Sequence, residues 1–208
     1  MAAEIIKVYK DTPHQRTVNH VVEIIKSGGV FVYPTDTIYG LGADLYNRKA
    51  IERILKIKNQ KPSKPLSFIL KDLKDISTYA NVPDFAYKIM RRVTPGSFTF
   101  VLNDTKEIPK LLQHKRKTVG IRIPEAPFAI RIVETLGNPI LSTSVPLGYA
   151  DEGFHTDPAE IAERFGHEID LILDAGILLN NPSTIVDCTK DSPVILREGA
   201  GDMDQIYY

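Results

Sequence analysis

Only one cysteine, Cys188, occurs in the 208 residues, and a lone thiol excludes an internal disulfide framework. It follows the apolar pair Ile185-Val186 with no histidine near it, so it reads as a buried structural thiol rather than a nucleophile. Neither sign of charge is in excess: 26 Lys plus Arg balance 26 Asp plus Glu. That excludes polyanion binding by bulk charge and leaves only local patches for phosphate or RNA. No apolar run approaches the roughly 18 residues that cross a bilayer, so no membrane partner is expected. The opening MAAEIIKVYK lacks the basic-then-apolar pattern of a signal peptide, which makes a cytoplasmic location the expectation. The five histidines (14, 20, 114, 155, 167) show no ligand spacing, so no protein-held metal is expected. Neither Gly-x-x-x-x-Gly-Lys-Ser/Thr nor Gly-x-Gly-x-x-Gly occurs, which removes the two commonest nucleotide-binding loops.

What is present suits a globular α/β protein, with 25% charged and 43% hydrophobic residues. The length suits one domain over 1–208. The stretch from Phe31 to Leu45, FVYPTDTIYGLGADL, organises the rest. A short apolar run breaks at Pro34, offers Thr35, Asp36 and Thr37, and leaves through Gly40 and Gly42. The proline fixes φ and removes a donor, while the glycines allow a ligand close to the backbone. This is a strand ending in a functional turn, with an ordinary strand-turn-strand hairpin as the plain alternative.

Along the chain, residues 4–9 read as a strand. Thr12-Pro13 reads as N-cap and first helical position of a helix carrying Val18, Val21, Val22 and Ile25 and ending at Gly28-Gly29. A helix over 49–58 presents Lys56 and Lys58 in its last turn, and Pro62-Ser63-Lys64-Pro65 forces a loop. Strands are expected at 66–70, 97–102, 118–123, 139–144, 169–173, 184–187 and 194–197. Helices are expected from Asp72 to near Tyr79, around 85–90, over 127–136 and from a capped start at Asp157-Pro158, with a helical turn at 108–113. Strands and helices that do not strictly alternate predict a mixed twisted sheet with flanking helices. Local basic patches are Lys56, Lys58, Lys61 and Lys64, then Arg91-Arg92, then Lys115-Arg116-Lys117. Ser142 and Ser144, two apart on a strand, share one face.

The segment GGVFVYPTDTIYGLGADL resembles the opening motif of the YrdC-type family, the threonylcarbamoyl-AMP synthases of tRNA modification. Further blocks follow in that family's order: Lys58 ahead of Lys64-Pro65-Leu66, Thr94-Pro95-Gly96 with Thr99, VGIRIP at 119–124, Ser142-Thr143-Ser144, PSTIVD at 182–187 and ILREG at 195–199. They cover roughly residues 14–200. The resemblance implies a twisted sheet around a large concave basic cavity that takes L-threonine, bicarbonate and ATP, with Mg²⁺ carried on the nucleotide. It also implies binding of RNA, either tRNA or double-stranded RNA. By position, Thr35, Tyr39, Arg122 and Ser142 would hold threonine, and Lys58, Lys61, Ser144, Ser183 and Arg197 would line the nucleotide. Lys58 and Arg122 would be catalytic, since charge neutralisation, not a covalent nucleophile, drives such phosphoryl chemistry.

Two positions depart from the synthase pattern. Gln60 stands on the arginine of the family's Lys-x-Arg-Pro motif, and Pro146 replaces the asparagine of Ser-Thr-Ser-Ala-Asn. Losing one donor to the leaving group costs ~2–4 kcal/mol of transition-state stabilisation, roughly 10²–10³ in rate. Glu198 also stands where the family usually has proline. These changes, with the Lys-Arg-Lys-Thr-Val-Gly loop and TPGSFTFVL, make the chain most similar to the YciO branch. Three functions follow as expectations: a threonylcarbamoyl-AMP synthase, a nucleotide- and double-stranded-RNA-binding protein without that chemistry, or a hydrolase or transferase on a related carbamoyl compound.

Overall fold

The computed structural model describes residues 2–58, 66–113, 117–147 and 153–207. The predicted Lys61, Gln60, Lys64, Lys115 and Arg116 lie outside the described residues, and so does the 62–65 loop. Eleven strands form one mixed sheet: β1 (Glu4–Lys7), β2 (Phe31–Tyr33), β3 (Gly40–Asp44), β4 (Ser67–Ile69), β5 (Ala80–Asn81), β6 (Phe98–Asp104), β7 (Thr118–Arg122), β8 (Ile140–Ser144), β9 (Leu171–Asp174), β10 (Thr184–Asp187) and β11 (Val194–Arg197). Their spatial order is β1-β9-β2-β3-β8-β4-β7-β6-β10-β11, with the two-residue β5 beside β6. Among the described residues the helices are α1 (Gln15–Lys26), α2 (Arg48–Ile57), α3 (Ile76–Tyr79), α4 (Asp84–Val93), α5 (Pro127–Leu136), α6 (Pro158–Phe165) and α7 (Asp204–Tyr207). The mixed α/β domain expected from the pattern is therefore present.

Strand alternation divides the interior. Phe31, Tyr33, Leu171, Leu173, Ile69 and Ile140 face α1 and α5. Val32, Leu41, Phe68, Phe100, Ile121, Leu141 and Ile172 face the larger core built with α2, α4 and α6. Beyond Ile69 and Ile140, the first of these faces turns to small residues across β3, β8, β4 and β7. Gly42, Ser142, Ser67 and Gly120 stand in one cross-strand row. A sheet whose one face is packed with aromatic and branched side chains and whose other carries glycine and serine leaves a hollow on the second.

Several boundaries differ from expectation for local reasons. The first helix starts at Gln15 with His14 as N-cap and no side-chain cap bond. Thr12 instead donates its N–H to Tyr9 O at 3.0 Å in the turn leaving β1, and the proline after it disfavours helical backbone at Thr12. The helix expected from Asp72 shrinks to Ile76–Tyr79, because the Asp72 carboxylate takes the Lys74 N–H at 2.9 Å and closes an Asx turn. Asp157 caps α6 as expected, accepting from Ala159 N at 2.8 Å, but Glu160 bonds His155 rather than completing a capping box. Cys188 is fully buried, and burial pushes its thiol up to about 12.

Candidate active site

The hollow is a cleft of about 320 Å³ lined by residues from seven strands and four connections. Thr35, Tyr39, Lys58, Arg122, Ser142, Ser144, Ser183 and Arg197 all line it, together with Gly40, Ser67, Thr99 and Phe154. Eight of the nine residues selected from the sequence therefore share one wall system, the ninth being Lys61 outside the described residues. Glu198 is exposed and does not line the cleft, so its charge does not bear on it.

Strand pairing explains why distant arginines meet. Ile69 stands opposite Arg122 on β7, Phe100 opposite Ile121, Thr99 beside Ile185, and Ile185 opposite Arg197. Arg122 and Arg197 thus sit about three strand spacings apart on the same face, roughly 14 Å along a flat sheet. Arg197 is held below its ordinary value first by burial and then by the nearby charge of Arg122.

The β2–β3 hairpin builds the first half of the site. Arg122, with only 9% of its side chain exposed, donates through Nη2 to Asp36 Oδ1 at 2.5 Å and to Thr37 Oγ1 at 2.8 Å. Asp36 Oδ2 also accepts from Ser97 Oγ at 2.9 Å, which fixes the carboxylate that aims the guanidinium. Arg122 Nε is buried and meets no acceptor among the described residues. An unpaired buried donor costs about 1–3 kcal/mol and is relieved by a ligand acceptor. Thr35 Oγ1 donates to Ile38 O at 2.6 Å, accepts from Thr37 N at 3.1 Å and lies 3.1 Å from Thr37 Oγ1, so its hydrogen bonds are spent within its own turn. Ser142 Oγ lies 2.6 Å from the hydroxyl of the wholly buried Tyr33. Gly40 is required here: a Cβ would come 2.7 Å from Tyr33 Cζ. The Tyr39 ring lines the cleft, while its hydroxyl donates to Gly176 O at 2.7 Å and accepts from Ala175 N at 3.0 Å.

The second half comes from α2, β10 and β11. Lys58 is the C-cap of α2, and its Nζ donates to Ser144 O at 3.2 Å. Arg197 donates to Ser183 O at 2.7 Å through Nη2 and stands over the Phe154 ring at 5.9 Å. Ser183 Oγ lies 2.9 Å from Thr99 Oγ1, and both are buried. Pro146 bridges to Phe154 beside the cleft without lining it. Asp36 as the partner of Arg122, and Tyr33 beneath Ser142, were not selected from sequence. Both partnerships join residues far apart in the chain, and no local pattern marks them.

Comparison with known proteins gives the cleft its context. The Sua5–YciO–YrdC family, described as telomere recombination, matches residues 23–199. YciO of Escherichia coli (strain K12) is 43% identical over 202 residues, covering 97% of this chain and 98% of its own. Its crystal structure superposes with a TM-score of 0.92 over 98% of this chain and 99% of that one. The threonylcarbamoyl-AMP synthase of Vibrio vulnificus (strain YJ016) is 31% identical over 183 residues, 86% of this chain and 96% of its own. Sua5 of P. abyssi, crystallised with L-threonine, is 27% identical with a TM-score of 0.88, covering 97% of this chain and 59% of that one.

Proposed function

Because the chain belongs to the Sua5–YciO–YrdC family, we propose that its cleft binds L-threonine beside ATP and joins them, through bicarbonate, as threonylcarbamoyl-AMP for tRNA modification. One observation carries this reading: two guanidiniums, Arg122 and Arg197, face a single cleft, and Arg197 is held below its ordinary value first by burial and then by the charge of Arg122. Anions relieve that penalty, and the proposed reactants supply two, a carboxylate and a polyphosphate.

Each half fits one anion. Arg122, fixed by Asp36 and Thr37, offers its guanidinium to the threonine carboxylate beside Ser142. Thr35 lines the same end and is held by Ile38 O and Thr37. Lys58 and Arg197 reach the phosphates from α2 and β11. The threonine nitrogen adds to bicarbonate with loss of water. A carbamate oxygen then attacks the α-phosphorus, and the bond to pyrophosphate breaks as the leaving group departs with Mg²⁺. The protein's share is positioning and charge neutralisation. Purified protein with L-threonine, bicarbonate, ATP and Mg²⁺ should release pyrophosphate and form the adenylate, detected by mass spectrometry. Absence of both products would reject the reading.

A second reading rests on Pro146, which carries no N–H where the synthase pattern has an amide. The cleft then holds a nucleotide or RNA without making the adenylate. This version expects adenylate or RNA affinity in calorimetry, with the RNA component falling steeply as salt rises, and no pyrophosphate release.

A further inference from the structure

We infer that Tyr33 is a positioning residue whose buried hydroxyl commits Ser142 to act as a hydrogen-bond donor into the cleft. The inference rests on the proposed binding of L-threonine for its ligand, although the proton arrangement does not. Tyr33 is 0% exposed, and its hydroxyl lies 2.6 Å from Ser142 Oγ with no second partner among the described residues. Two arrangements of the protons are open to such a pair. If Ser142 donated to Tyr33, the phenolic proton would be left buried without an acceptor, a cost of about 1–3 kcal/mol. If Tyr33 donates to Ser142, the buried phenolic proton is satisfied, and the serine proton turns toward the cleft that Ser142 lines. Burial raises the Tyr33 phenol to about 12, so the proton it donates stays in place at neutral pH.

The consequence is chemical selectivity. A serine with a free choice of rotor accepts from an ammonium or donates to a carboxylate, whereas one already accepting from a buried phenol is biased to donate. Thr35 is spent within its turn, on Ile38 O, Thr37 N and Thr37 Oγ1. Ser142 as a donor, beside the Arg122 guanidinium, therefore places the anionic end of a zwitterion. Gly40 and Gly42 keep this arrangement, because a Cβ at either would meet the Tyr33 ring at 2.7 or 3.0 Å.

Two measurements test it. Neutron diffraction from deuterated crystals of the ligand-free protein should place the Tyr33 deuteron on the line to Ser142 Oγ and the Ser142 deuteron toward the cleft. The reverse order overturns the inference whatever the ligand proves to be. Calorimetry with L-threonine on the wild type, Tyr33→Phe, Ser142→Ala and the double variant should show about tenfold weaker binding for each single change. The double variant should bind no more weakly than Ser142→Ala alone. Effects that multiply, or an unaltered Tyr33→Phe affinity, overturn the inference. A wild type that fails to bind L-threonine rejects the proposed ligand, and the neutron result then decides the proton arrangement alone.

Discussion

The two halves of the cleft are built differently. Around Arg122 every group is nearly buried: Asp36 and Thr37 hold the guanidinium, Thr35 bonds Thr37 and Ile38 O, and Tyr33 bonds Ser142, all at 2.5 to 3.1 Å. Around Arg197 the cations are long and only partly buried, and they rest on backbone carbonyls, Arg197 on Ser183 O and Lys58 on Ser144 O. A fixed fork with matched hydroxyls selects a small ligand by geometry. Flexible cations neutralise a larger anion whose charge moves during reaction. Under the proposed function, the difference assigns specificity to the hairpin half and charge compensation to the β10–β11 half.

Breaking the first half should cost most. Arg122→Ala leaves Asp36 buried without its counter-charge and should lower stability by about 3–5 kcal/mol in urea unfolding, besides abolishing L-threonine binding. Gly40→Ala pushes a Cβ into the Tyr33 ring and should cost about 1–3 kcal/mol while detaching the phenol from Ser142. Arg197→Ala probes the other half: ATP affinity should fall about tenfold in calorimetry with L-threonine affinity little changed, since one charge-assisted contact is lost. If both ligands weaken equally, the division of labour is wrong.

Alkaline pH sharpens the same contrast. Burial raises Tyr33 and Tyr39 from 10.0 to about 12 in the folded protein. A raised folded value means that stability is complete below the unfolded value and is lost as pH rises toward the folded one. The urea midpoint should therefore fall between about pH 10 and about pH 12, and less so in Tyr33→Phe. The smallest effect is expected far from the cleft. Arg48→Ala removes an exposed pair with Glu52 on α2 and should change stability by no more than about 0.5 kcal/mol.

Much of this was legible before any coordinates. Ser142 and Ser144 share a strand face by period two, and Arg122 ends a strand before a proline; both line the cleft. The glycines of the hairpin, read as permitting close approach, prove to make room for the Tyr33 ring. The partnership of Asp36 with Arg122 spans 86 residues, and that of Tyr33 with Ser142 spans 109. Neither leaves a local pattern, because cross-sheet register creates both. The start of α1 and the short α3 were misread where a turn competed with helix for the same backbone donors. The alternation of small and large residues in β4, β7 and β8 was the unread signal for the hollow itself.

The central claim is that one cleft holds a carboxylate and a polyphosphate side by side. Crystals soaked with L-threonine and a non-hydrolysable ATP analogue test it most directly. The account predicts both molecules in the same cleft, the carboxylate on Arg122 and Ser142 and the phosphates on Arg197 and Lys58. Mutual exclusion of the two ligands, or either one bound outside the cleft, would contradict it.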